Sequence, residues 1–221
     1  MRKIIGTIAT AVVLLAGLPS TAQASVAPIA PVRVVMSGPV VHVRMTMTSS
    51  TPTTARGGHG VEITSQLRNG MVATGEAWSD YSTIPVSIDM PSMLAPIGDW
   101  RMEAEDYGDG RVTPILVRVL RASRLSIGPL ATGSGVAVGM VALTHYDPMA
   151  GRYVAAPGSP VRVERLSAGR WVLAATWTTD MRGVATGSVR LPAGPQTIRY
   201  VRPDGARDAA ASSGPLSIKV G

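Results

Sequence analysis

Hydrophobic and polar residues alternate along most of this chain, in short runs rich in Val, Ile, Thr and Met. Clusters of Gly, Pro, Asp and Asn separate these runs, and after residue 24 no window carries the apolar stripe of an amphipathic helix. Alternation with a period of two places successive side chains on opposite faces of a strand, so the pattern predicts an all-β protein. The predicted strands are Val32–Met36, Val40–Thr48, Val61–Leu67, Met71–Trp78, Thr83–Ile88, Trp100–Ala104, Val112–Leu120, Arg124–Ile127, Val136–Tyr146, Val161–Leu166, Trp171–Thr178, Val184–Leu191, Thr197–Arg202 and Leu216–Val220.

Local patterns at three places make more specific predictions. Asn69-Gly70 lies between two strand-like runs, and because both residues tolerate a positive φ, the pair predicts a hairpin with a two-residue turn. In the strand Trp171–Thr178 both tryptophans have the same parity, which predicts that Trp171 and Trp177 lie on one buried face. After that strand, Asp180 and Gly183 predict a chain reversal.

The predicted strands form two sets, seven in each half of the chain, at a spacing of about ten residues. This spacing is typical of β-sandwich domains, and each half has a length usual for one such domain. The sequence therefore predicts two domains in tandem, at residues 25–120 and 121–221, with a seam near Leu120–Ser123.

The first 24 residues have the features of an export signal. Arg2 and Lys3 precede an apolar run from Ile4 to Leu18, and Ala22-Gln23-Ala24 matches a cleavage site. The run is shorter than the roughly 20 residues that span a membrane, and no second apolar stretch of spanning length follows. We therefore predict a signal peptide at residues 1–24 and a mature chain without a transmembrane segment, secreted or loosely associated with the cell wall.

Several of these segments also resemble a known family. Gly169–Val172, Thr178–Ala185 and Leu191–Tyr200 resemble the immunoglobulin-like repeats of secreted actinobacterial proteins, and Gly98–Gly110 is similar to a late hairpin of such domains. The resemblance covers about Val32–Val220. It implies two tandem immunoglobulin-like β-sandwich domains with an extracellular adhesive or accessory role, and it brings no catalytic residue. The absence of Phe departs from the family and implies cores filled by Met and Trp.

Composition removes many kinds of chemistry. The chain has no cysteine, which excludes disulfides, thiol nucleophiles, thiolate zinc sites and lipid anchoring at cysteine. The nucleophile elbow Gly-x-Ser-x-Gly, the zinc motif His-Glu-x-x-His and the phosphate-binding loop are also missing. His42, His59 and His145 lie far apart, and we expect them in surface or packing roles. The prediction is a non-enzymatic protein without catalytic residues or cofactor, and the alternative is a small extracellular hydrolase that pairs one histidine with a carboxylate.

An acidic segment offers a second alternative. Asp99, Glu103, Glu105, Asp106 and Asp109 are oxygen ligands of the kind that calcium prefers, but they do not match the calcium-loop pattern. A solvated hairpin tip, in which Asp and Gly satisfy the turn, is the favoured interpretation. A calcium-dependent surface or glycan-binding module remains the alternative.

Charge differs between the two halves. Residues 25–120 carry seven Arg against nine Asp and Glu, a net charge of −2, whereas residues 121–221 carry eleven Arg and one Lys against five acids, a net charge of +7. A basic second half would attract an anionic wall polymer or an acidic surface of an extracellular protein, and export separates it from nucleic acid. The alternative is that the arginines are dispersed to keep the protein soluble. The candidate ligand-binding residues are Arg162, Arg165, Arg170, Arg190, Arg199 and Arg202.

Overall fold

A computed structural model describes residues 26–50 and 58–221. The predicted signal peptide lies outside the described residues. Within them the chain forms seventeen strands and no helix. In chain order the strands are β1 Val26–Pro28, β2 Val32–Met36, β3 Val40–Ser49, β4 His59–Gln66, β5 Val72–Ser79, β6 Thr83–Pro91, β7 Gly98–Asp106, β8 Val112–Arg121, β9 Ser123–Gly133, β10 Val136–Asp147, β11 Arg152–Ala155, β12 Pro160–Ser167, β13 Arg170–Thr178, β14 Val184–Arg190, β15 Gly194–Arg202, β16 Ala211–Ser212 and β17 Leu216–Val220.

The all-β prediction is confirmed, and each of the predicted strands coincides with an observed one. Three observed strands were missed, namely β1, β11 and β16. They have three, four and two residues, too few to show a period of two. The strand predicted at Arg124–Ile127 was also too short, because β9 continues through Gly128-Pro129 to Gly133. There it is an edge strand, and its pairing with β10 contains a register shift.

Two sheets enclose the first hydrophobic cluster. A three-stranded sheet, in the order β1-β3-β6, faces a five-stranded sheet, in the order β2-β8-β7-β4-β5, and only the β2–β8 pair is parallel. Alternate residues of both sheets point inward and are buried. Among the largest are Met36, Met47, Met102 and Trp100, so unbranched methionines fill much of this core in place of Phe.

The second hydrophobic cluster is built around an aromatic pair. It lies between the sheet of β9, β10, β11 and β14 and the sheet of β13, β12, β15, β16 and β17. The rings of Trp177 and Tyr200 have centroids 5.5 Å apart. Each ring lies against a glycine backbone, because a Cβ at Gly139 would clash with the Tyr200 hydroxyl and one at Gly187 with the Trp177 indole. Glycine at these two positions makes room for the rings.

The hairpin at Asn69-Gly70 is confirmed, but its predicted two-residue turn is wrong. Leu67 N donates to Met71 O at 2.8 Å and Gly70 N donates to Leu67 O at 3.0 Å, which closes a three-residue loop. Only Gly70, with φ 82°, is in the left-handed region. Asn69 instead accepts a hydrogen bond from Met71 N through its side chain, at 3.1 Å.

The predicted shared face of Trp171 and Trp177 is also wrong. Val163 lies opposite Ala175 and the next residue, Glu164, lies opposite Leu173, so Ala174 has no partner on β12. This bulge reverses the alternation within β13. Trp177 is buried in the core, whereas Trp171 and Leu173 lie on the outer face of the sheet. The chain reversal after β13 is confirmed, since Asp180 accepts hydrogen bonds from Arg182 N and Val184 N.

The two sandwiches follow each other closely. Ala122 alone separates β8 from β9. Its N–H donates to Met36 O and its carbonyl accepts from Tyr146 N, and the Tyr146 side chain packs in the first cluster although it belongs to β10. Ala122 is therefore hydrogen-bonded to strands on both sides of the boundary. The division into domains at residue 120 stays a prediction.

Candidate functional site

The outer face of the sheet that contains β13 carries the best candidate for a binding surface. Along β12 and β15 the inward residues Val163, Ile198 and Tyr200 are buried, so the residues between them point to solvent. We call this surface the Trp171 face. It consists of Arg162, Glu164, Leu166, Trp171, Leu173, Arg199 and Lys219.

At the centre of the Trp171 face, three side chains hold one another. Arg199 Nε and Nη2 lie 2.8 Å and 2.7 Å from Glu164 Oε2. The Arg199 guanidinium carbon lies 4.3 Å from the centroid of the Trp171 ring, a favourable cation–π distance. Glu164 and Arg199 therefore fix the position of the indole.

The rest of the Trp171 face is open to solvent and positively charged. Leu173 is 60% exposed and Leu166 is 39% exposed. Arg162 and Lys219 are exposed and make no ion pair with any described residue. With Arg199 and Glu164 included, this face has a net charge of +2. It combines apolar area with free cations, which suits an anionic partner that also has apolar parts.

The structure brings together only two of the six candidate arginines. Arg162 and Arg199 lie on the Trp171 face, in register positions that are diagonal neighbours across β12 and β15. The other four lie elsewhere, with Arg165 on the opposite side of β12, Arg170 at the start of β13, Arg190 on β14 in the other sheet and Arg202 buried. Lys219, near the end of the chain, was missed because its single charge stands out in no local pattern.

Arg202 belongs to a buried cluster at the junction of the sandwiches. Asp208 binds two arginines, with Arg121 Nε at 2.6 Å from Oδ1 and Arg202 Nη2 at 2.9 Å from Oδ2. Arg202 is 5% exposed, and its Nη1 also donates to the carbonyls of Pro203, Asp208 and Ala209. These bonds give Arg202 a structural role.

The same junction is closed by backbone hydrogen bonds. Arg121 N donates to Arg207 O and Ala209 N donates to Arg121 O, both at 2.8 Å, which joins the segment 203–210 to the end of β8. Nearby, Arg118 Nη2 donates to Gly205 O at 3.0 Å. The segment after β15 therefore connects the second sandwich to the first through hydrogen bonds.

His145 lies beside this cluster. Its Nε2 is 2.9 Å from Arg121 Nη1, and because arginine only donates, the ring nitrogen accepts. Burial, and after it the charge of Arg121, lowers the pKa of His145 below its ordinary value. The neutral form is therefore the one that fits the junction.

The other two histidines lie within hydrogen-bond distance of an acidic or a hydroxyl group. His42 Nδ1 lies 2.8 Å from Asp89 Oδ1 on the outer face of the first sandwich, where both side chains are more than half exposed. His59 Nδ1 lies 3.3 Å from Ser49 Oγ, which donates to the buried Asp106 at 2.8 Å. A serine, a histidine and an aspartate, the residue types of a catalytic triad, are therefore in contact here.

Their order differs from that of a catalytic triad. The hydroxyl proton of Ser49 is donated to Asp106, so the His59 nitrogen donates to Ser49 Oγ and does not accept from it. In a nucleophilic triad the histidine takes the serine proton and the carboxylate binds the far side of the histidine. In this arrangement Ser49 donates to the carboxylate and not to the histidine, so it gives no support to the hydrolase alternative.

Two carboxylates of the acidic segment, Asp106 and Asp109, accept backbone hydrogen bonds in its turn. Asp106 is fully buried and also accepts from Gly108 N at 2.8 Å, while Asp109 accepts from Arg111 N and pairs with its side chain. Across residues 26–50 and 58–221 no group of three acidic or histidine side chains is placed to hold a metal ion. The calcium alternative therefore gains no ligand set from these residues.

A row of glutamates on the outer face of the first sandwich was not foreseen. Glu62 lies directly opposite Glu76 on one side and Glu105 on the other, so three carboxylates face the same way across β5, β4 and β7. Tyr107 Oη donates to Glu62 at 3.0 Å. Burial, followed by the carboxylates of Glu62 and Glu76, raises the pKa of Tyr107 to about 12. The residues come from three separate strands, so only the sheet register reveals the row.

A cleft of about 690 Å³ opens on the first sandwich. On one side it is lined by the crossover from β1 to β2 and by Arg33 of β2, and on the other by Arg44 and Thr46 of β3 and Ser87 of β6. Among the described residues no helix is long and apolar enough to cross a membrane.

No protein-family model and no curated protein matches the chain. Among solved structures, the chain is similar to Escherichia coli alpha-2-macroglobulin in its native conformation, with 11% identity and a TM-score of 0.39 over 88% of this chain and 14% of that one. It is similar to a tetra-tandem repeat in the extending region of a large adhesion protein, with 17% identity and a TM-score of 0.34 over 86% and 49%. A third is the pullulanase of Anoxybacillus sp. LM18-11 in complex with maltotriose, with 9% identity and a TM-score of 0.28 over 81% and 25%. The chain spans less than half the length of each of these three.

Proposed function

We propose that this chain is a secreted, non-catalytic β-sandwich protein that binds an anionic polymer at or outside the cell surface through the Trp171 face. The observation that carries the proposal is the combination on one sheet face of unpaired Arg162 and Lys219 with Trp171, whose ring is held by Arg199 and Glu164. Cations attract the polymer, and the indole and the leucines contact its apolar parts.

The sequence supports the extracellular part of this proposal. Residues 1–24 have the features of an export signal, and the charge of +7 lies in residues 121–221, which we take as the second domain after a first domain at residues 25–120. The non-catalytic part is supported by the hydrogen-bond order at His59, where Ser49 donates to Asp106 and not to the histidine. A wall polymer rich in phosphate or carboxylate is the ligand class that fits best.

The test is co-sedimentation of the protein, produced without residues 1–24, with walls of the producing organism at increasing salt. The double variant Arg162→Glu/Lys219→Glu reverses both free cations of the Trp171 face. The double variant Arg152→Glu/Arg182→Glu makes the same change in net charge at two exposed arginines away from that face. We expect the first variant to lose about tenfold or more in affinity and the control to stay within about twofold.

Salt and the indole provide two further readouts. Binding should weaken as ionic strength rises, because exposed charges are screened beyond about 10 Å at 0.1 M salt. Trp171→Ala should weaken binding without changing the salt dependence, since it removes contact area and no charge. Equal losses in the two charge-reversal variants would mean that net charge alone causes binding, and the assignment to the Trp171 face would then be wrong.

A further inference from the structure

Within the described residues, one edge of strand β3 in the first sandwich has a partner strand over only part of its length. β1 pairs with β3 only through Val26–Pro28, opposite Met47–Ser49, and Ile29 N donates to Thr46 O at 3.0 Å. Beyond that point the chain crosses to β2 in the other sheet. Among the described residues no strand pairs with this edge of β3 from Val40 to Met45.

The direction of the backbone groups on that edge follows from the hydrogen bond of Thr46. Because the Thr46 carbonyl points toward β1, residues two and four positions earlier, Arg44 and His42, direct their N–H and C=O to the same side. The register agrees, since Thr46 lies opposite Pro85, which has no N–H to exchange across the β3–β6 pair. The edge therefore offers backbone donors and acceptors at alternate residues.

The cleft of about 690 Å³ begins where this edge begins. Arg33 and Arg44 both line it. Arg33 is paired with Asp204 at 2.9 Å, whereas Arg44 is exposed and makes no ion pair with any described residue. On the inner side, Val43 and Met45 of β3 are buried in the core. A strand added along β3 would meet the cation of Arg44 with one set of side chains and apolar groups with the other.

We propose that this edge of β3 binds an extended acidic segment of another polypeptide as an additional β-strand, in which acidic residues alternate with apolar ones. Backbone hydrogen bonds to His42 and Arg44 would supply affinity, and the Arg44 guanidinium would select acidic side chains. The site lies on the first sandwich and is separate from the Trp171 face, so it goes beyond the function proposed above.

The probe is a fluorescent peptide of about nine residues that alternates Glu and Val, long enough to form one strand of ordinary length. Its binding to the protein without residues 1–24 is followed by fluorescence polarisation, beside a peptide with Lys in place of Glu. We expect Arg44→Glu to weaken binding of the Glu peptide about tenfold or more. Arg68→Glu, with the same charge change in an exposed turn of the same sandwich, should have an effect below about twofold.

N-methylation of the peptide separates strand addition from simple charge attraction. Methyl groups on one alternating set of amides block the bonds to β3, whereas methyl groups on the other set point to solvent. We expect one set to abolish binding and the other to preserve it. In hydrogen exchange, the amides of His42 and Arg44 should gain protection when the unmodified peptide binds.

Several results would overturn the proposal. These are absent binding of the Glu peptide, equal effects of Arg44→Glu and Arg68→Glu, or equal binding of both methylated peptides. Protection of His42 and Arg44 that rises with protein concentration alone would assign the edge to a second copy of the chain instead. The variant Arg162→Glu/Lys219→Glu should bind the peptide normally, so failure here is distinguishable from failure of the Trp171 face.

Discussion

Strand β15 carries two arginine–carboxylate pairs whose arginines differ in burial, while the two carboxylates are about equally buried. Arg202 points inward, is 5% exposed and binds Asp208, whereas Arg199 points outward and binds Glu164 beneath the Trp171 ring. The two arginines are three residues apart and lie on opposite faces of the same sheet. Removing the partner of a buried charge destabilises a protein far more than removing the partner of an exposed charge. The Arg202 pair therefore stabilises the fold, whereas the Arg199 pair lies on a surface that is available for binding.

Asp208→Ala should have the largest effect on this comparison. It leaves Arg121 and Arg202 without their shared carboxylate at a site that is mostly closed to water. We expect the free energy of unfolding to fall by about 3–5 kcal/mol. Urea unfolding followed by tryptophan fluorescence measures it, with Asp89→Ala as the control, because Asp89 also pairs with a basic side chain but is more than half exposed. Equal losses in the two variants would show that burial does not set the strength of these pairs.

Glu164→Ala tests the outward pair and should have an intermediate effect. Arg199 loses its carboxylate but can turn toward solvent, so we expect a loss of about 1–2 kcal/mol in the free energy of unfolding. The Trp171 ring also loses the group that positions Arg199 over it, so wall binding should weaken. Glu103→Ala, at an exposed strand position where no described residue forms an ion pair with it, is the control and should stay within about 0.5 kcal/mol. A stability loss as large as that of Asp208→Ala would contradict the comparison.

Acid should weaken the inward cluster through His145. Burial and Arg121 lower the pKa of His145 in the folded protein, with smaller opposing effects from Asp208 and Asp147 and a further lowering by Arg202. The unfolded chain then binds a proton that the folded chain does not. Stability from this group is complete above about pH 6.5, the unfolded pKa, and is lost as the pH falls toward the folded pKa.

The measurement is the free energy of unfolding between pH 7.5 and pH 5 for the protein and for His145→Gln. Glutamine retains an oxygen that accepts from Arg121 but does not titrate in this range. We expect the decline toward low pH to be shallower in the variant. Identical pH dependence in both proteins would show that His145 does not contribute.

Much of the strand pattern could be predicted because it is local. Alternation within β3 or β10 is visible in the sequence of that strand alone, and it predicted both correctly. The bulge at Ala174 could not be predicted, because it is a property of the register between β12 and β13. It moved Trp171 from the expected core to the outer face and so created the candidate site.

The roles of the arginines could not be predicted from local sequence patterns for a similar reason. Arg199 and Arg202 lie on one strand and both looked like candidates for ligand binding. Arg202 is buried because segment 203–210 folds back over the junction and brings Asp208 to it. Neither that return nor the meeting of Ser49, His59 and Asp106 has a signature within a short stretch of sequence.

Arg33→Ala should have the smallest effect and gives the strictest test of the comparison. Arg33 pairs with Asp204 across the same junction as Arg121 and Asp208, but both side chains are about half exposed. Asp204 also keeps a backbone hydrogen bond from Ala210 N at 2.6 Å, which is the largest single cause of its lowered pKa. We therefore expect a loss of about 0.5 kcal/mol or less in urea unfolding, reduced further at high salt. If Arg33→Ala instead approached the loss seen for Asp208→Ala, position at the junction would matter more than burial, and the distinction between Arg202 and Arg199 would need another cause.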